Sequence, residues 1–127
     1  MSGVDAFDAT AILTRLDDAA RTAFASIEVV DAIDSTNSEL LRRRTPDSGL
    51  VALFADRQHG GRGRQGRPWA SPPGANLYFS VARRFTGELA RLGGLSLVAG
   101  IATAEAMRAI GAVALGVKWP NDLVVDD

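Results

Sequence analysis

The sequence predicts an α/β fold (α+β in the broader sense), in which helices pack on a β-sheet. Segments with helical and strand-like periodicity alternate along the chain. The strand-like segments are short and apolar, and several of them end in polar clusters that are typical of ligand sites in α/β domains. Because 46% of the 127 residues are hydrophobic, we expect one globular domain over residues 1–127.

The individual elements are predicted from the spacing of apolar residues. Residues 8–24 place Ile12 and Leu16 on one stripe, which predicts an amphipathic helix. The apolar run at 50–55 predicts a strand covered on both faces. The small apolar residues from 92 to 110 predict a helix enclosed by other structure. The remaining predicted elements are a helix at 38–44 and strands at 27–33, 76–85, 112–118 and 123–125.

Composition excludes several classes of function. The chain has no cysteine, so it has no disulfide framework, thiolate metal site or cysteine nucleophile. The N-terminus lacks the features of a signal peptide, and no uninterrupted apolar run reaches the roughly 18 residues of a membrane span. We therefore expect a cytoplasmic protein that does not bind membranes. A net charge of -1 also argues against a general nucleic-acid-binding protein.

The most unusual segment is HGGRGRQGRPW at 59–69, which holds four glycines and three arginines. Glycines allow positive φ and close approach of a ligand, while Arg62, Arg64 and Arg67 offer forked donors to phosphate or carboxylate. This composition predicts an anion-binding loop, and a mobile surface loop with solvated arginines is the alternative. It is no P-loop, because G-x-x-x-x-G-K-[ST] is missing, and it is no dinucleotide-binding turn, because the RPWASPPG that follows GRGRQG cannot open a helix.

Other polar segments have a simple and a functional interpretation. DSTN at 34–37 is either a helix cap or part of a ligand site at a strand end, and KWPND at 118–122 is either a tight hairpin or a second such cluster. Trp69 is either a core residue or a flat wall for a ligand ring. His59 has no His or Cys partner and is interpreted as a loop residue. The arginines at 42–44 are interpreted as a solvated helix terminus.

Together these segments resemble one family, biotin protein ligase, also called biotin-[acetyl-CoA-carboxylase] ligase. The resemblance covers about residues 31–125, and its two most specific motifs are the glycine-arginine loop and K-W-P-N-D. The matching segments, in the family's order, are DSTN at 34–37, ADRQHGGRGRQGRPW at 55–69, SPPGANLYFSV at 71–81, LSLVAGIATAEAMR at 95–108 and KWPNDLVV at 118–125.

The resemblance implies a mixed sheet and a two-step reaction. Biotin's carboxylate attacks the α-phosphate of ATP in the presence of Mg²⁺, which gives biotinyl-5'-AMP and pyrophosphate. The anhydride then acylates a lysine of a biotin carboxyl carrier protein. The protein holds two anions together and excludes water, so the loop arginines would neutralise charges that otherwise repel.

The resemblance also implies the site residues. Biotin would be bound by Ser35, Thr36, Asn37, Gln58, Gly61, Arg62, Gly63, Arg64 and Trp69. ATP and the adenylate would be bound by Arg62, Arg64, Arg67, Trp69, Lys118 and Asn121. Arg64, Lys118 and Asp122 are the candidate catalytic residues. Arg64 would retain the intermediate, and Asp122 would either accept the proton of the incoming lysine or position Mg²⁺.

Two departures from the family set further expectations. The family's catalytic domain continues past the point where this chain stops, so we expect an incomplete domain without the C-terminal β-barrel. Only about 30 residues precede the first matched segment, too few for a winged helix, so we expect a ligase without repressor function. There are two main alternatives: a fragment that binds biotin or the adenylate without full activity, and a lipoate-ligase-like enzyme. A non-enzymatic nucleic-acid module is the weakest hypothesis. A homodimer is compatible with the sequence.

Overall fold

The computed structural model of the chain describes residues 8–70, 76–112, 114–118 and 122–125. These residues belong to two compact units, Met1–Phe85 and Thr86–Asp127. That both units form one catalytic domain stays a prediction. The mixed α/β class is confirmed, since strands in parallel and antiparallel pairs alternate with helices.

The first unit contains a three-stranded mixed sheet. The strands are β1 (Phe24–Ile33), β2 (Leu50–Gln58) and β3 (Tyr78–Ala82), in the order β1-β2-β3. β1 and β2 run parallel, with Val30 opposite Ala55, and β2 and β3 run antiparallel, with Leu53 opposite Ser80. The carboxyl ends of β1 and β2 therefore lie at the same edge as the start of β3.

Helix α3 (Thr36–Arg42) connects β1 to β2 and covers one face of this sheet. Leu40 from the helix packs with Val51 and Leu53 of β2, and Leu53 is fully buried. Neighbouring apolar side chains surround this cluster, namely Val30, Ile33 and Ala82. All six positions of the predicted strand at 50–55 are buried or half-buried, which agrees with a strand covered on both faces.

The predicted helix at 8–24 is two helices. α1 (Ala9–Arg15) ends where Leu16 becomes extended, and α2 (Asp18–Ala23) begins after Asp17. The Asp17 carboxylate accepts the N–H of Ala20 at 2.7 Å and so caps a new helix. A short acidic side chain that bonds local backbone in this way competes with continuation of the preceding helix, which is why one apolar stripe became two elements.

The second unit contains a helix and a hairpin. A 3₁₀ turn at Leu89–Leu92 precedes α4 (Leu95–Ala109), and the antiparallel strands are β4 (Leu115–Lys118) and β5 (Asp122–Val125). α4 is followed by Gly111, which has a φ of 119°. Its N–H donates to the carbonyl of Arg108 at 3.1 Å, and the N–H of Ala112 donates to that of Met107 at 3.0 Å. These bonds satisfy carbonyls that the helix end leaves free.

The prediction that this helix is enclosed is wrong for the described residues. Ala104 is the buried residue of α4, whereas Val98 is 62% exposed and Ile110, just after the helix, is 81% exposed. In the described part of this unit the helix has only a two-stranded sheet to pack against. A two-stranded sheet covers one side of a helix and leaves the rest of its surface open.

One stretch of the described residues, Leu89–Ala109, is long and apolar enough to cross a membrane by length and composition alone. Core helices of soluble proteins pass the same criterion. Arg91, Glu105 and Arg108 interrupt the stretch. The continuous helix α4 has 15 residues, about 22 Å at ~1.5 Å per residue, against a hydrocarbon core of about 30 Å.

Candidate ligand-binding site

The turn between β1 and α3 carries the first group of predicted site residues. Ser35 caps α3, because its hydroxyl accepts the N–H of Ser38 at 3.2 Å. Thr36 is the first residue of the helix, and the two residues are only 6% and 3% exposed. The helix-cap interpretation of DSTN is therefore confirmed. It does not exclude a ligand site, since the same residues also line a cavity.

Gln58, at the end of β2, holds this turn against the sheet. Its Oε1 accepts the backbone N–H of Thr36 at 2.8 Å and the Thr36 hydroxyl at 3.1 Å. The Thr36 hydroxyl also lies 2.8 Å from Oγ of Ser80 on β3. Three elements that are far apart in sequence are thus joined by one hydrogen-bond network at the sheet edge.

This network lies in the wall of an open cavity of about 230 Å³. Five of the residues that line it were predicted from the sequence: Ser35, Thr36, Asn37, Gln58 and Arg62. Four were not: Leu77, Tyr78, Phe79 and Ser80. The cavity therefore joins the polar turn after β1, the end of β2 and the beginning of β3, with an aromatic wall on the β3 side.

The glycine-arginine loop begins beside this turn. The N–H of His59 donates to the carbonyl of Ile33 at 3.0 Å, and the N–H of Gly60 donates to that of Asp34 at 2.6 Å. A Cβ at Gly60 would lie 3.2 Å from the same Asp34 oxygen. Glycine at this position allows the two backbone segments to approach closely, and the loop is thereby fixed to the β1–α3 turn.

The rest of the loop is a closed turn. The carbonyl of Gly61 accepts the N–H of Trp69 at 2.8 Å, and the N–H of Gly63 donates to the carbonyl of Arg67 at 2.7 Å. Gln65 and Gly66 at the tip have φ of 61° and 73°. The backbone is therefore organised, which the alternative of a mobile, unstructured loop does not predict.

The side chains of the loop are exposed where they are described. Arg62 lines the cavity and its Nη1 donates to the carbonyl of Gly66 at 3.3 Å. Arg67 is exposed, and the side chain of Arg64 lies outside the described residues. Trp69 is 60% exposed, so it is not a core residue; its ring lies beside Gly63, where a Cβ would be 3.5 Å from Cε3.

An ion-pair network lies next to the cap. Arg42 binds both carboxylate oxygens of Asp34, at 2.8 and 2.9 Å, and also binds Glu39 at 2.8 Å. Arg43 joins Glu39 to Glu28 of β1, at 2.9 and 2.7 Å. The arginines lie at the exposed end of α3, as the sequence predicted, but Arg42 and Arg43 also form ion pairs with acidic side chains of β1, the following turn and α3, which the sequence did not reveal.

This network sets the protonation of the carboxylates. Hydrogen bonds from Arg42, supported by one from the backbone N–H of Ser35, hold the pKa of the Asp34 carboxyl well below its usual range. Arg42 and Arg43 likewise lower the pKa of Glu39. The residue that precedes the ligand-facing turn is thus ionised and fixed to the last turn of α3.

In the second unit, Lys118 and Asp122 are directly opposite each other in the β4–β5 hairpin. Opposite residues of an antiparallel pair place their side chains on the same face. Both residues are exposed. Asn121 and the turn predicted at WPND lie outside the described residues. Across the described ranges, no three His, Cys, Asp or Glu side chains are grouped so that they could hold a metal.

The mixed sheet carries a polar cavity and a cationic loop at its strand ends. This arrangement defines the class of the protein as an α/β domain that binds a small molecule at strand ends. The biotin/lipoate A/B protein ligase family model matches residues 28–127, and the chain belongs to this family. The family resemblance seen in the motifs is thereby confirmed.

Several named relatives support this membership. The chain is 49% identical over 102 residues to the bifunctional ligase/repressor BirA of Escherichia coli, covering 80% of this chain and 32% of that protein. It is 36% identical over 111 residues to the biotin-[acetyl-CoA-carboxylase] ligase of Mycobacterium tuberculosis, covering 83% of this chain and 42% of that protein. The chain thus spans less than half the length of these relatives.

Solved structures give the same result. The biotin protein ligase of Aquifex aeolicus in complex with biotin and ATP matches with a TM-score of 0.67 and 36% identity, covering 81% of this chain and 43% of that chain. The ligase of Leishmania major in complex with biotinyl-5-AMP matches with a TM-score of 0.60 and 28% identity, covering 80% and 47%. The predicted fold class is confirmed by these matches.

Proposed function

We propose that this chain supplies the biotin- and nucleotide-binding part of a biotin protein ligase. The proposed enzyme activates biotin with ATP to biotinyl-5'-AMP and transfers biotin to a lysine of a biotin carboxyl carrier protein. One observation carries the proposal: Ser35, Thr36, Asn37, Gln58 and Arg62, all predicted from the motifs, line a single cavity. Its support also includes relatives that are named as such ligases and structures solved with biotin, ATP or biotinyl-5-AMP.

In this proposal the cavity binds the polar head group of biotin. Hydroxyl and amide groups from the β1–α3 turn and Gln58 supply donors and acceptors, and the walls from Tyr78 and Phe79 supply apolar contact. Polar groups at fixed positions orient the ligand in a small-molecule site. The network from Thr36 to Gln58 fixes these groups before the ligand arrives.

The loop is proposed to bring biotin's carboxylate and the α-phosphate together. Arg62, Arg64 and Arg67 neutralise the two anions, and Gly61 and Gly63 let the backbone approach them. Arg64 holds the adenylate until the carrier lysine arrives, so Arg64→Ala should release biotinyl-5'-AMP into solution. Trp69 then covers the bound ligand; its present exposure of 60% leaves its ring free to do so.

Lys118, Asn121 and Asp122 are proposed to lie beside the nucleotide. Lys118 would lie next to the acyl-phosphate. Mg²⁺ would enter with ATP as part of the substrate. Among the described residues no three His, Cys, Asp or Glu side chains are grouped as a metal site, and a resident divalent ion needs several oxygen ligands. Asp122 is proposed either to accept the proton of the incoming lysine or to position the Mg²⁺ that enters with ATP.

Calorimetric titration tests this proposal. We expect the folded chain to bind biotin and to bind a non-hydrolysable biotinyl-adenylate analogue more tightly. No binding of either ligand to the folded chain would contradict the proposal. Thr36→Val, which removes a cavity hydroxyl at nearly constant volume, should weaken both, whereas Thr22→Val, an exposed threonine of α2, should not.

Two further measurements distinguish the alternatives. Pyrophosphate release from ATP and biotin would establish activation, and binding without release would identify a binding fragment. Because the family includes lipoate ligases, competition between biotin and lipoate establishes the substrate; displacement of biotin by equimolar lipoate would favour the lipoate-ligase-like alternative.

A further inference from the structure

We infer that Ser80 of β3 is a specificity-determining residue that accepts a hydrogen bond from a ring N–H of the bound ligand, which selects a cyclic urea. The inference rests on the proposed function and adds to it a residue from a strand to which the motifs assign no contact. It follows from the direction of the hydrogen bonds between Gln58, Thr36 and Ser80.

The orientation of the Gln58 amide is fixed by a backbone group. A backbone N–H can only donate, and that of Thr36 lies 2.8 Å from Gln58 Oε1. A reversed amide would place two donors against each other at this distance. The oxygen of Gln58 therefore faces Thr36, and its NH₂ group is left for other partners.

The hydroxyl protons are then assigned in order. The Thr36 hydroxyl has one proton, which it donates to Gln58 Oε1 at 3.1 Å. Thr36 Oγ1 and Ser80 Oγ are 2.8 Å apart, so Ser80 has to be the donor in that bond. The single proton of Ser80 is thereby used, and Ser80 offers only lone pairs to a ligand.

The cavity wall therefore has a defined polarity. Ser80 supplies an acceptor, and the Gln58 NH₂ group supplies a donor that has no acceptor among the described residues. Both side chains are partly buried. A cyclic urea presents N–H groups beside a carbonyl and can bond both groups, whereas a dithiolane ring like that of lipoate has no N–H for Ser80.

The test compares three ligands in Ser80→Ala and the wild-type chain by calorimetric titration. The ligands are biotin and its two cyclic carbamate analogues, in each of which one ureido N–H is replaced by oxygen without added bulk. We expect Ser80→Ala to weaken biotin and one carbamate about tenfold. The carbamate that lacks the N–H facing Ser80 should change less than twofold.

Controls separate this role from a structural one. Ser26→Ala removes an exposed hydroxyl from β1 of the same sheet and should leave all three affinities unchanged. Ser80→Cys keeps a similar shape with a weak acceptor and should lie between wild type and Ser80→Ala for biotin; it also provides the measurement if Ser80→Ala does not fold. Equal losses for all three ligands, or no loss for biotin, would overturn the inference. A folded wild-type chain that binds no biotin would instead contradict the proposed function.

Discussion

Oε1 of Gln58 lies 2.8 Å from the backbone nitrogen of Thr36, so the last side chain of β2 accepts a hydrogen bond from the first turn of α3. The first N–H groups of any helix have no acceptor within the helix. In α3, Gln58 accepts one of them and Ser35 accepts another, from Ser38. The cavity is therefore built on bonds that the fold also needs.

Two substitutions of Gln58 separate its role in ligand binding from its role in stabilising α3. Gln58→Glu keeps an oxygen for Thr36 but loses the NH₂ donor, so we expect weaker biotin binding with little change in unfolding free energy. Gln58→Leu leaves the Thr36 N–H without a partner and should also lower the unfolding free energy by about 1 to 3 kcal/mol. Urea unfolding and calorimetric titration measure the two effects.

Arg57→Ala is the matched control, because Arg57 precedes Gln58 in β2 and is exposed. It should change neither quantity by more than about 0.5 kcal/mol. Full biotin affinity in Gln58→Glu would contradict the donor role of the amide.

The order of elements was predictable because each depends on local periodicity. β1, α3, β2, β4 and β5 lie where apolar spacing and turn residues placed them, with ends shifted by a few residues. The helix at 8–24 was not predicted correctly, because an apolar stripe does not show that Asp17 caps a second helix. Local capping competed with periodicity, and capping prevailed.

The cavity was predictable only in the part that motifs mark. Ser35, Thr36 and Gln58 lie in segments to which the resemblance assigns ligand contacts. Ser80 lies in the matching segment at 71–81, to which no contact was assigned, and it enters the site through the antiparallel register that places it opposite Leu53. Register depends on the pairing of distant strands, and no motif states it. The partners of Arg42 were missed for the same reason: a run of arginines does not reveal which acidic residues fold next to it.

The Asp34–Arg42 pair predicts a pH dependence of stability. Because Arg42 lowers the pKa of Asp34 in the folded state, the pair stabilises the fold above the unfolded pKa of about 3.9 and loses this contribution as pH falls below it. Arg42→Ala should raise the pKa of Asp34 toward 3.9. NMR titration of the Asp34 carboxyl carbon measures this directly.

Arg44→Ala is the control, since Arg44 is 82% exposed and only approaches Asp47 at 4.0 Å. It should leave the titration of Asp34 unchanged. The wild type should also lose more stability than Arg42→Ala between about pH 5 and pH 3. An unaltered Asp34 titration in Arg42→Ala would show that the guanidinium does not set this pKa.

Gly66 predicts how strongly the loop depends on its backbone conformation. Its φ is 73°, and a Cβ there would contact nothing within 4 Å, so Gly66→Ala changes the backbone energy without a steric clash. We expect the closed loop to be destabilised by about 1 to 2 kcal/mol. Hydrogen exchange of the Gly63 and Trp69 amides should accelerate about 5- to 30-fold, because both amides close the loop.

Gly116→Ala is a suitable comparison, since its Cβ would also be in open space but its φ is not positive. It should leave the exchange of both loop amides unchanged. Equal exchange in Gly66→Ala and the wild type would mean that the tip conformation does not hold the loop closed.

Trp69 is the clearest case in which ligand binding and folding should separate. Its ring is 60% exposed, so Trp69→Ala removes less buried area than a core substitution and should lower the unfolding free energy by about 1 to 2 kcal/mol. If the ring covers the ligand, burying its remaining area, on the order of 100 Å², contributes about 1 to 3 kcal/mol at ~25 cal/mol per Å². Affinity for the biotinyl-adenylate analogue should then fall about ten- to a hundredfold in calorimetric titration.

Leu53→Ala defines the opposite case, because Leu53 is 0% exposed in the core. That change should lower the unfolding free energy by about 2 to 5 kcal/mol. Its effect on adenylate binding to the folded fraction should be smaller than that of Trp69→Ala, since Leu53 does not line the cavity. If Trp69→Ala instead destabilised the fold as much as Leu53→Ala while adenylate affinity stayed constant, Trp69 would be a packing residue and the loop would not close over the ligand.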